Sequence, residues 1–260
     1  GFSLLTKETA EVSEAVRIFA IGDLHLPGGQ DKPMDVFGTE WRDHAVRIEA
    51  SWRKAVGDGD VVLVPGDISW AMKLDEAACD LAFLGRLPGT IGLIRGNHDY
   101  WWQGIGKVRA ALPCGVHAVQ NDHFRLPGGW AVCGSRGWVH PHAPEFTQHD
   151  RKIYERELER LELSLESAVR AGLRPGVAML HFPPAPADGR PTGFTALLER
   201  YRVPLCVYGH LHGDARAGAL RGEVRGVLYR LVACDAVGFS PALVAELAGG
   251  EFRAVTATSG

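Results

Sequence analysis

Five short apolar runs in this chain end in the same way. Val16 to Gly22 empties into Asp23-Leu24-His25, and Val61 to Pro65 passes through Gly66 to Asp67. Thr90 to Ile94 leads through Arg95 and Gly96 to Asn97-His98-Asp99, Gly176 to Leu180 meets His181, and Pro204 to Tyr208 runs through Gly209 into His210-Leu211-His212. Continuous apolar runs of this length predict strands buried on both faces. Between them the apolar spacing changes to that of helices. Glu40 to Val56 places Trp41, Ala45, Ile48 and Trp52 at helical intervals, and Asp150 to Ala171 does the same with Ile153, Leu158, Leu161, Leu165 and Val169. Shorter helices are predicted over Asp75 to Leu87, Ile105 to Leu112 and Thr192 to Tyr201. Val116 to Val119 and Trp130 to Cys133 read as strands of a second sheet, and Val224 to Ala233 and Ala242 to Leu247 as closing strands. Strands alternating with helices make this an α/β chain. No repeat and no linker divides it, so 1–260 reads as one domain.

The strand ends are the unusual feature. A buried strand does not ordinarily finish in Asn-His-Asp, because each of these groups loses hydrogen bonds to water on burial. Glycine precedes the polar residue in four of the five cases, which lets the backbone come close to a bound ion. In open α/β sheets, ligands sit beyond the carboxyl ends of the strands. If the five strands lie side by side, Asp23, His25, Asp67, Asn97, His181, His210 and His212 meet at one place. Taken singly, each is equally well a strand-end turn or a cap. Taken together they offer oxygen and imidazole ligands without a thiolate, a set suited to Mn, Fe, Zn or Ni. Seven ligands exceed what one four-coordinate zinc with an open position needs, and they suit two metal ions bridged by a carboxylate.

Composition narrows the class. The 260 residues carry a formal net charge of −3, so no basic excess argues for non-specific nucleic-acid binding or a nuclease. Five scattered cysteines without a Cys-x-x-Cys pair point to reduced thiols and a cytoplasmic protein. No apolar run approaches a membrane span, and Gly1 to Ala15 lacks the pattern of a signal peptide. Gly104-Ile105-Gly106-Lys107 lacks the spacing of a phosphate loop.

The blocks Asp23-Leu24-His25, Gly66-Asp67, Gly96-Asn97-His98-Asp99, His181 and Gly209-His210-Leu211-His212, in this order, resemble the calcineurin-like metallophosphoesterase superfamily. The continuation Tyr100-Trp101-Trp102 matches an uncharacterised bacterial branch of it. The resemblance implies a four-layer α/β/β/α sandwich: two mixed sheets flanked by helices, with a dinuclear site at the strand ends. It also implies roles. Asp23, His25 and His212 would hold one metal, Asn97, His181 and His210 the other, and Asp67 would bridge them. Manganese is the metal expected first. His98 would be the catalytic acid, with Asp99 holding its imidazole.

The expected chemistry is phosphoester hydrolysis. A hydroxide shared by two cations is a usable nucleophile at neutral pH, and a histidine can protonate the leaving oxygen. A small or cyclic-nucleotide-type phosphodiester is the preferred substrate. A phosphomonoester or phosphoprotein is the alternative within enzymes, and a scaffold that kept the fold but lost catalysis is the alternative outside them. Substrate contacts are expected from Tyr100 and Trp101, unless these aromatics pack into the core. Arg136 is the candidate phosphate clamp, with His140 and His142 beside it in a stretch that otherwise reads as a solvated loop. By the same resemblance, a substrate-gating insertion is expected at about 135–171.

Overall fold

In the computed structural model, residues 15–29 and 34–257 are described. The leader considered above therefore lies almost wholly outside the described residues. The chain first lays down four parallel strands, β1 (Val16–Ala20), β2 (Val61–Pro65), β3 (Thr90–Ile94) and β4 (Val116–Ala118). It then builds a second sheet from β5 (Phe124–Leu126), β6 (Trp130–Ser135), β7 (Arg174–Leu180), β8 (Leu205–Tyr208), β9 (Gly222–Val224) and β10 (Val227–Leu231). Finally it returns to the first sheet with β11 (Ala242–Ala248) and β12 (Glu251–Ala254). The orders are β12-β11-β1-β2-β3-β4 and β5-β6-β7-β8-β10-β9, each with a parallel centre and antiparallel pairing toward an edge.

Alternation along the strands builds the layers. Ile18, Ala20, Val61 and Leu63 of the first sheet face Val132, Val177, Met179, Leu205 and Val207 of the second, and these form the central core. On the outer side of the first sheet, Phe19, Val62, Val64, Ile91 and Leu93 pack under α1 (His44–Ala55), α2 (Ala78–Leu84) and α3 (Ile105–Ala111). On the outer side of the second, Ala131, Cys133, Ala178, Leu180 and Cys206 pack under α4 (Gln148–Arg170) and α5 (Gly193–Arg200). Helices, sheet, sheet and helices are thus the four layers expected.

Three predicted elements differ. The 116–119 strand joins the first sheet, because the short α3 returns the chain parallel to β3 at once, and sequential parallel strands usually become neighbours. The helix predicted from Glu40 starts only at His44. Asp43 takes the left-handed conformation (φ 52°), so the chain breaks there and Trp41 turns inward within a separate 3-10 turn, Thr39–Trp41. The apolar stripe of α4 is rotated from its expected position. Tyr154, Leu161, Leu165 and Ala168 are buried together with Glu157, while Val169 is exposed. Within 135–171, α4 supplies the outer core of the second sheet, and the stretch before Gln148 is irregular.

The two sheets are joined where the site lies. Beyond β1, Gly22 pairs with Ala233 beyond β10: Gly22 N donates to Val232 O (2.7 Å), and Cys234 N donates to Gly22 O (3.0 Å).

Candidate metal centre

Each predicted ligand follows the carboxyl end of a parallel strand. Asp23 and His25 come from β1, Asp67 from β2 and Asn97 from β3, whereas His181, His210 and His212 come from β7 and β8 of the other sheet. The site therefore spans the seam between the sheets. Four of these residues, Asp23 (φ 56°), His25 (φ 43°), Asp67 (φ 52°) and His210 (φ 74°), hold left-handed backbone conformations that non-glycine residues seldom adopt. Such strain persists where the surroundings dictate it, and it gathers at functional sites. Two glycines make the crowding feasible. A Cβ on Gly66 would lie 2.7 Å from the Gly96 backbone and 2.8 Å from His181 Nδ1, and one on Gly209 would lie 2.2 Å from Asp23 Oδ2.

The ligand atoms converge. Asp23, His25 and His212 bring donor atoms within 4.8 Å of one another, as do Asp23, Asp67 and His181. Asp23 is common to both groups, and Asp67 Oδ2 lies 3.8 Å from His25 Nε2 and 3.4 Å from His181 Nε2, within reach of a ligand in each. Asn97 Oδ1 completes the second group, 2.6 Å from His181 Nε2 and 3.1 Å from His210 Nδ1. Backbone N–H groups fix both carboxylates: His98 N donates to Asp67 Oδ1 (2.8 Å), and His210 N donates to both oxygens of Asp23 (3.0 and 3.1 Å).

This donor set fits cations. His181 donates from Nδ1 to Pro65 O (2.9 Å), which leaves Nε2 with a bare lone pair facing the Asn97 oxygen and, 3.3 Å away, His210 Nδ1. Lone pairs gathered this closely are stabilised by a positive ion between them. The electrostatics of the site agree. Burial raises Asp67 to about 7 and lowers His25 and His210 to about 3. Burial also opposes ionisation of Asp23 and His212. Their mutual hydrogen bond, and that of His212 to Asp235, outweigh it and leave Asp23 at about 2 and His212 at about 10. Divalent ions would reverse the cost of burying the carboxylates and keep every imidazole deprotonated for ligation.

The residues expected at the edge of the site divide. His98 is half-buried, with its ring 4.8 Å from that of Trp70 and 5.9 Å from that of His25, and burial lowers its pKa. Asp99 does not hold the His98 imidazole. Its carboxylate accepts from Ile68 N, Ser69 N, Gly96 N and Trp101 Nε1, so it braces the loop that carries Asn97 and His98. Trp101 is completely buried in the outer core and cannot meet a substrate, whereas Tyr100 is 51% exposed with its ring 6.2 Å from that of His98. Arg136 is no clamp. Its guanidinium pairs with buried Glu157 of α4 (3.3 Å) and lies over Trp138, and only its backbone carbonyl serves the site, accepting from His181 N. His142 bonds Pro191 O (2.8 Å), and neither it nor His140 contacts a ligand residue.

Sequence reading missed four contributors. Asp235 Oδ1 accepts from His212 Nδ1 (2.9 Å), which fixes the tautomer that turns Nε2 inward. His44, at the start of α1, donates to Leu24 O (3.0 Å) and steadies the turn carrying His25. Trp70 stacks on His25 (4.8 Å, 22°), and Trp41 stands edge-on to His25 and His212. The two tryptophans, with Met34, Phe37, Glu40, His25, His98, His212 and Gly213, line a cavity of about 260 Å³. Nothing in their sequence context separates them from core aromatics.

Comparison with known proteins bears on this geometry. The family profile described as calcineurin-like phosphoesterase matches residues 16–214. No curated protein sequence matches the chain. Among solved structures, the TT1561 protein of Thermus thermophilus is similar at 14% identity and TM-score 0.52, over 93% of this chain and 99% of that one. The phosphopantetheinyl hydrolase of Mycobacterium tuberculosis aligns at 17% identity and TM-score 0.48, over 84% of this chain and 88% of that one. AQ665 of Aquifex aeolicus, a protein of unknown function, aligns at 14% and 0.47, over 87% and 95%. Among the described residues, no helix is long and apolar enough to cross a membrane.

Proposed function

Because the chain belongs to the calcineurin-like phosphoesterase family, whose activity is phosphoester hydrolysis, we propose that it is a two-metal phosphodiesterase in which His98 protonates the leaving group. The observation that carries this reading is the position of His98. Its backbone N–H holds Asp67, while its imidazole stands at the boundary between the ligand cluster and the cavity, hydrogen-bonded to no other side chain among the described residues. From there a proton can pass to an oxygen departing into the cavity.

Asp23, His25 and His212 would hold one metal, Asn97, His181 and His210 the other, with Asp67 shared. Bound divalent ions supply activation of water and neutralisation of charge on the phosphoryl oxygens. The rest falls to the chain's own residues. Asp235 and the Pro65 carbonyl keep His212 and His181 in the ligating tautomer, Asp99 holds the Asn97–His98 loop, and Trp41 and Trp70 keep water from the His25 side. Manganese, with iron, zinc or nickel as alternatives, suits the oxygen and imidazole donors.

A diester is favoured over a monoester on charge. A monoester dianion needs more positive charge than a diester, and among the described residues no Lys or Arg lines the cavity. Arg136, the one cation offered for that purpose, is occupied by Glu157. A small phosphoester in the cytoplasm completes the proposal, and five free cysteines suit that reducing setting. The test is hydrolysis of bis-p-nitrophenyl phosphate and p-nitrophenyl phosphate by manganese-loaded protein. A higher kcat/KM for the diester is expected. A monoester preference would overturn the diesterase reading, and inactivity toward both with two metals bound would point to a scaffold.

A further inference from the structure

We infer that the cavity beside His98 receives the leaving group, and that this group is uncharged and apolar, an aromatic ring in preference to a sugar alcohol or an anion. The inference rests on the phosphoester-hydrolase reading and adds the chemistry of one half of the substrate.

Its orientation follows from the ligands that line the cavity. His25, His98 and His212 do, while Asn97, His181 and His210 do not. The cavity therefore opens on one side of the cluster only, the side that carries the proposed acid. A group lying there is attached to the oxygen that His98 can reach, so it departs as the alcohol.

Its chemistry follows from the walls. Trp41, Trp70, Phe37 and Met34 present two indoles, a phenyl ring and a thioether, with Trp70 Nε1 turned to Met34 Sδ (3.1 Å). Flat apolar walls favour another ring, through burial and offset or edge-to-face contact. Apart from the histidines, Glu40 is the only charged residue there among the described residues, and it repels a carboxylate or a second phosphate. Exposed apolar side chains also lie on the same stretches of chain. Val36, Phe37, Met72 and Tyr100 are among the few large apolar side chains that stand exposed, and all lie on the segments that carry the cavity or His98.

The test uses methyl phosphodiesters whose second alcohol is benzyl, methyl or carboxymethyl, three alcohols of similar acidity. Manganese-loaded protein is expected to hydrolyse the benzyl ester with kcat/KM about tenfold above the methyl ester, as one well-filled apolar contact gives. The carboxymethyl ester should fall below the methyl ester. Phe37→Ala should draw the benzyl-to-methyl ratio toward one, and Glu40→Gln should narrow the gap between carboxymethyl and methyl. Binding of methyl benzylphosphonate against methyl methylphosphonate, followed by calorimetry, gives the same comparison without turnover. Equal kcat/KM for benzyl and methyl, a carboxymethyl ester preferred over benzyl, or no benzyl preference in binding would overturn the inference. Loss of all hydrolysis with the benzyl binding preference intact would instead count against the enzyme reading alone.

Discussion

Asp235 Oδ1 accepts a hydrogen bond from His212 Nδ1 at 2.9 Å, and its other oxygen takes the Gly213 N–H at 3.0 Å. The carboxylate reaches His212 because the chain after β10 is stitched to Gly22 across the two sheets. It thus controls which nitrogen of His212 faces Asp23. Asp235→Ala should weaken metal binding about 10- to 100-fold, as loss of a carboxylate behind a ligating imidazole generally does. Calorimetric titration with Mn measures this, and unchanged affinity would remove Asp235 from the site.

Trp101 and Tyr100 are neighbours with opposite surroundings. Trp101→Ala empties a fully buried site and removes a donor to Asp99, so it should cost about 3–5 kcal/mol in urea unfolding. Tyr100→Ala should change stability by less than about 0.5 kcal/mol, and its effect should appear in KM. Equal destabilisation by the two substitutions would contradict their placement.

These neighbours also mark the limit of what the chain discloses by itself. Residues at strand ends were legible, because an apolar run that empties into Asp, Asn or His violates the expectation for a buried strand, and five violations in series imply a common cause. Alternating strands and helices marked an α/β chain, whereas the four layers came from the resemblance that those strand ends carry. Aromatic residues carry no such violation. Trp101 and Trp70 look alike in sequence, yet one lies in the core and the other stacks on His25, a difference set by contacts that neither flanking segment announces. The fate of Arg136 depends on Glu157, a buried acid on a helix whose apolar stripe faces otherwise than its spacing suggested. The resemblance implies that Asp99 holds His98, but four donors from around the loop claim its oxygens.

Away from the site, Asp60 accepts from the Arg17 side chain (2.6 and 3.1 Å) and from Gly57 N (2.7 Å), tying β1 to the start of β2. Burial favours protonation of Asp60, but these bonds outweigh it and hold its pKa below the ordinary carboxylate value. A depressed acid stabilises the fold above its unfolded pKa, and that contribution is lost as pH falls through the folded one. Asp60→Asn should therefore cost about 1–3 kcal/mol at pH 7. The gap from the parent protein should close below about pH 4. Urea unfolding across pH 3 to 7 checks it, and a gap independent of pH would refute the assignment.

His98 is proposed to deliver a proton to the leaving oxygen without holding metal. The most direct test compares His98→Ala with the parent on two diesters, one releasing p-nitrophenol, which departs without help, and one releasing an alkyl alcohol, which does not. With two metals still bound, kcat is predicted to fall about 10²- to 10⁴-fold for the alkyl ester, and much less for the p-nitrophenyl ester. Equal losses on both esters, or loss of a metal from the variant, would contradict the account.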